Sequence, residues 1–129
     1  MLFFVLLQLF IFVVNLFIMV NIEKYNRYMN VFHSFYDCSI HEKKYDITLV
    51  RSLMIYFLYK EKSSTKNMKV TFLEIATVFG MERSSTIKAN QRILAYIENE
   101  QYLKTNSQAY QRTFRIFFYL FNKIFTQNN

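Results

Sequence analysis

Glu82, Arg83, Ser84, Ser85, Lys88, Gln91 and Arg92 stand in one short run of the chain. On a helix, Ser84, Lys88, Gln91 and Arg92 recur at spacings of three and four, which places them on one face. Their short hydroxyls, amide and cations suit hydrogen bonds to base edges and to phosphates. Glu82 can accept from a cytosine amino group, and Arg83 can donate to guanine. This is chemistry of recognition rather than turnover. Ser84 and Ser85 have no nearby His with a supporting carboxylate, so a serine nucleophile would lack its base. A phosphate-cradling loop needs several glycines, and the chain has one, Gly80. The carboxylates are scattered, or, as with Glu98 and Glu100, lie at a polar helix end. His33, Cys38 and His41 are too few for a structural zinc site, which takes four ligands in paired spacings. No enzyme activity, metal or cofactor is expected.

Two short helices around Gly80 must position these groups. Thr71-x-x-Glu74 is a capping box, with the hydroxyl accepting from the amide three residues on and the carboxylate reaching back, so a helix should begin at Phe72. Phe72, Ile75, Ala76 and Phe79 form its buried stripe. Gly80 stops it, because glycine takes the left-handed conformation without steric cost. Ser84 and Ser85 can cap a second helix, whose Ala89, Ile93 and Ile97 face inward. All-helical proteins that never meet nucleic acid share this bare pattern, so it does not by itself define a function.

The stretch resembles the C-terminal DNA-binding domain of the bacterial replication initiator DnaA. That family's hallmark is a helix with Glu-Ile, then Phe-Gly, then Arg-Asp-His-Ser/Thr-Thr-Val. Here Glu74-Ile75 and Phe79-Gly80 match. Met81-Glu82-Arg83-Ser84-Ser85-Thr86-Ile87 occupies the hallmark, in register with members whose turn is one residue shorter. Upstream, Arg51-Ser52-Leu53-Met54-Ile55-Tyr56-Phe57-Leu58 is similar to the family's Arg-Gln-x-Ala-Met-Tyr-Leu helix, and Lys43-Lys44 falls at its basic loop. The likeness covers roughly residues 30 to 120.

The resemblance implies an all-α fold: a small, Trp-repressor-like helical domain with a helix-turn-helix that binds double-stranded DNA in replication initiation or its regulation. It has no ATPase module. Glu82, Arg83, Ser84 and Ser85 would meet bases in the major groove. Lys88, Arg92, Lys62, Lys69 and Thr71 would hold phosphates, Lys43 and Lys44 would approach the minor groove or backbone, and Arg51 would lie near the backbone or tie its helix to the basic loop. The family's reading Asp and His are replaced by Glu82 and Arg83, and its minor-groove Arg by Lys43, so the family's DNA target does not carry over. The segment Lys60 to Val70 is longer than the family's link and adds Lys60, Lys62, Lys66 and Lys69; read alone, so short a run is more often a solvated loop.

The whole chain sets the frame. Its 129 residues, 53% hydrophobic, suit one packed domain. Sixteen Lys and Arg against nine Asp and Glu give a net charge of +7. That sign suits DNA, RNA or anionic lipid. Cys38 is the lone cysteine, which fits a reducing, cytoplasmic compartment.

The first twenty residues carry no charge, with only Gln8 and Asn15 polar. Three readings of them are open: a membrane span, with Lys24 and Arg27 holding the rest on the cytoplasmic side; a start misplaced upstream of Met19 or Met29; or an apolar helix packed on the domain or a partner. The domain boundary is set accordingly, with 1–21 apolar and 22–129 the helical domain. The membrane reading carries an alternative function, a small inner-membrane-anchored protein whose basic domain meets anionic lipid or a protein, a replication protein among the candidates.

Periodicity predicts further helices over Asn21 to Tyr36, Thr48 to Glu61 and Gln108 to Thr126, with irregular chain over Asn99 to Ser107. On the last helix Tyr110, Phe114, Phe117, Phe118, Phe121 and Phe125 form one side, suited to a core and also to a dimer or membrane face.

Overall fold

A computed structural model describes residues 2–17, 20–61 and 70–127. Among these the chain is helical with no strand, in the order α1 (Leu2–Phe17), α2 (Ile22–Phe35), α3 (Tyr45–Lys60), α4 (Phe72–Phe79), α5 (Arg83–Glu98), α6 (Glu100–Lys104) and α7 (Gln108–Thr126).

The centre is α3. Apolar residues on all sides of a helix require burial on all sides, and the stretch from Leu49 to Leu58 is buried except at Arg51. Around it pack α2, α4, α5 and α7. The aromatic side of α7 closes the core: Phe114, Phe117 and Phe121 are buried. Phe121 meets Tyr28 edge-on at 5.1 Å, and Phe118 lies 5.2 Å from Phe57. The core reading of these aromatics therefore holds, and α7 has the bounds predicted for it. Each fully buried Phe removes enough apolar surface from water to stabilise the fold by about 1.5–3 kcal/mol.

Local signals explain most boundaries. Thr71 Oγ1 accepts from the Glu74 amide at 3.2 Å, and its hydroxyl donates to the Glu74 carboxylate at 3.0 Å. Gly80 sits at φ 65° and ψ 39°. The Met81 amide reaches back to the Ala76 carbonyl at 2.9 Å, which closes the helix end. Asn21 and Ser107 cap α2 and α7 through their side chains.

Four expectations are corrected. First, α5 begins at Arg83 with Glu82 at its N-cap and no side-chain capping bond, so Ser84 and Ser85 lie within the first turn rather than before it. Second, Ile97 is exposed; Thr86, Asn90 and Tyr96 join Ala89 and Ile93 on the buried face. The buried stripe is thus wider and more polar than the apolar residues alone suggest. Third, α3 starts at Tyr45, a turn before Thr48, with an N-cap at Lys44 that lacks a side-chain bond. Fourth, Asn99 Oδ1 accepts from the Gln101 amide at 3.1 Å and starts the short α6 inside the stretch expected to be irregular.

The helix α1 packs on no other element among the described residues, and its residues from Leu2 to Phe10 are exposed. Its 16 residues rise about 24 Å, against about 30 Å of bilayer hydrocarbon. No helix among the described residues is long and apolar enough to cross a membrane, so the membrane-span reading of the first twenty residues gains no support from them.

Candidate nucleic-acid interface

The segment α4–Gly80–α5 is fixed to the domain from two sides. Ile75, Ala76 and Phe79 bury the inner face of α4, Phe72 stacks on Tyr59 at 3.9 Å, and Tyr25 meets Phe79 edge-on at 5.3 Å. The Thr86 hydroxyl is buried, donates to the Arg83 carbonyl at 2.7 Å and lies 3.4 Å from the Phe72 carbonyl, which sets the start of α5 against the start of α4. In the sequence Thr86 is only part of a motif, yet its hydroxyl sets how the first turn of α5 is presented.

That first turn projects into solvent. Glu82, Arg83 and Ser84 are exposed, and Glu82 leaves the first amides of α5 without a side-chain cap. Free N–H groups and the helix dipole make such an end attractive to anions.

One turn further along, α5 faces α3 across a shallow cleft of about 200 Å³ lined by Thr48, Arg51, Ser52, Met81, Ser85, Lys88, Ala89 and Arg92. Among the described residues three cations border it and no carboxylate does. Arg51 is half-buried and donates through Nη1 to the Ile40 carbonyl at 3.0 Å, which ties α3 to the preceding loop. Arg92 donates through Nη1 to Ser52 Oγ at 3.3 Å, and Ser52 in turn donates to the Thr48 carbonyl at 2.8 Å. Burial, and then the neighbouring Arg92 charge, lower the affinity of the Arg51 guanidinium for its proton. Among the described residues no carboxylate forms an ion pair with Arg51, Lys88 or Arg92. Two guanidiniums that repel each other, with a lysine beside them, form a place where an external anion is favoured.

The structure therefore brings together Arg51, Ser85, Lys88 and Arg92 from the residues expected to bind DNA, with Glu82, Arg83 and Ser84 on the adjoining exposed turn. Ser85, half-buried in the cleft, sits with Arg51, Lys88 and Arg92 rather than with the exposed turn. Thr71 is occupied as a helix cap. Lys43 and Lys44 are exposed on the loop before α3, and Lys43 borders a different, neighbouring cleft that shares Thr48 and Arg92. Lys62 and Lys69 lie outside the described residues. His33 and His41 are exposed and Cys38 is half-buried. Sequence reasoning missed Ser52, whose hydroxyl orients Arg92; its small size in an apolar run was the available signal. Comparison with protein families, with curated proteins and with solved structures finds no match.

Proposed function

We propose that this chain is a double-stranded DNA-binding protein of the helix-turn-helix kind, a binding protein rather than an enzyme. In this reading α4 and α5 form the motif, the first turn of α5 enters the major groove, and the domain resembles the C-terminal domain of DnaA, acting in replication initiation or its regulation. The observation that carries the reading is the cleft of Arg51, Lys88 and Arg92, free of ion-paired carboxylates among the described residues and set one turn behind the exposed Glu82-Arg83-Ser84. Phosphate contacts hold register and base contacts choose sequence, so a cation row beside an exposed polar turn has the needed division of labour. Lys43 and Lys44 extend the basic surface towards the backbone or minor groove.

Selection of duplexes from a random pool with the full chain tests this reading. A single enriched motif is expected. Arg83→Ala should relax preference at one position, at about 1–3 kcal/mol per lost base contact. Recovery of no motif, with binding abolished by moderate salt, would reduce the activity to nonspecific association.

A further inference from the structure

Beside the arginine cleft lies a larger one, about 480 Å³, lined by Lys43, Tyr45, Thr48, Arg92, Tyr96, Tyr102, Thr105, Asn106 and Tyr110. Small-molecule sites run to roughly 300–1,000 Å³, so the size suits a compact ligand. Five segments meet here: the basic loop, the start of α3, the end of α5, α6 and the start of α7.

The lining combines aromatic faces, cations and neutral hydrogen-bonding groups. Tyr96 and Tyr110 are buried, whereas Tyr45 is 69% and Tyr102 49% exposed, so the latter two rings keep surface open to solvent. Tyr45 lies 4.6 Å from Tyr110, and Tyr102 lies 5.2 Å from Tyr96. The Tyr45 hydroxyl donates to Asn106 Oδ1 at 3.1 Å, which braces one ring. The hydroxyls of Tyr96 and Tyr110 are 3.0 Å apart. One donates to the other, and the second proton remains for an acceptor in the cleft. Lys43 and Arg92 supply positive charge, and among the described residues no carboxylate lines the cleft.

We infer that this cleft binds a nucleoside monophosphate, its base stacked on Tyr102 and its phosphate held by Lys43 and Arg92. A planar base meets the Tyr102 face, a dianionic phosphate meets the two cations, and the Thr48 hydroxyl suits the sugar, whereas Thr105 and Asn106 donate to the Tyr102 and Leu103 carbonyls and brace the wall of the cleft. The inference rests on this cleft alone and does not require the chain to bind DNA.

Calorimetric titration of the full chain with adenosine monophosphate and with guanosine monophosphate tests it, alongside adenosine, inorganic phosphate and benzoate. Saturable one-to-one binding of at least one nucleotide at roughly millimolar affinity or tighter is expected, with adenosine, phosphate and benzoate each at least about tenfold weaker. Tyr102→Ala should weaken the nucleotide about tenfold or more, with an unchanged circular dichroism spectrum. Should that variant fail to fold, Lys43→Glu on the exposed loop gives the same reading through the phosphate. Absence of saturable binding would overturn the assignment. So would benzoate binding as tightly as the nucleotide, or nucleotide affinity indifferent to the folded variant.

Discussion

Two places among the described residues take cationic side chains out of water, and they do so on opposite terms. Lys24 on α2 is 4% exposed, and its ammonium meets both Glu61 carboxylate oxygens at 3.1 Å and the Phe125 carbonyl at 2.7 Å. Its charge is answered within the fold, and the three contacts join α2, the end of α3 and the end of α7. Arg51 and Arg92 are half-buried at the other end of the α3 surface, hydrogen-bonded to neutral oxygens, and they repel each other. A desolvated cation with its anion in place has a structural account. Half-buried cations with no carboxylate paired to them among the described residues favour an anion from outside the fold, and a DNA phosphate is the anion we propose.

The largest effect that would sharpen the contrast comes from Lys24→Met. It leaves the Glu61 carboxylate, 17% exposed, without its cation, and should lower unfolding stability by about 3 kcal/mol in urea titration. Replacing Glu61→Gln in the same chain should recover much of that loss, because the stranded charge is gone. A smaller effect belongs to the cleft. Inorganic phosphate at ten times its dissociation constant should stabilise the native protein by about 1.4 kcal/mol, and Arg51→Ala with Arg92→Ala should remove the increment. Equal stabilisation of that double variant would place the anion elsewhere. The smallest change expected is in the stability of Arg92→Ala itself, at most about 1 kcal/mol, since relief of repulsion on Arg51 offsets lost stem packing. A loss as large as that of Lys24→Met would erase the distinction between the two sites.

Much of this was legible in the residues. The aromatic repeat of α7 gave its bounds, the capping box gave the start of α4, and Gly80 adopts the left-handed conformation its isolation suggested. Local chemistry fixes such features, so local sequence reveals them. The burial of Lys24 was not legible, because its partners Glu61 and Phe125 are distant in sequence and a lysine in a helix ordinarily faces solvent. The face of α5 was misjudged at Ile97 for a related reason: Tyr96 and Asn90 are buried through packing against other helices rather than through apolarity. For the arginine cleft, sequence named Arg51, Lys88 and Arg92, but only the packing of α3 on α5 shows that they share one cleft. The tyrosine cleft, assembled from five segments, left no pattern to read.

We propose that the arginine cleft of α3 and α5 holds DNA phosphates, and the salt dependence of duplex binding tests this most directly. Plots of log K against log salt for the native chain, Lys88→Ala and Arg92→Ala should be linear, with each variant's slope shallower by about 0.9 for the phosphate contact removed. Slopes identical to that of the native chain, at any affinity, would contradict the account.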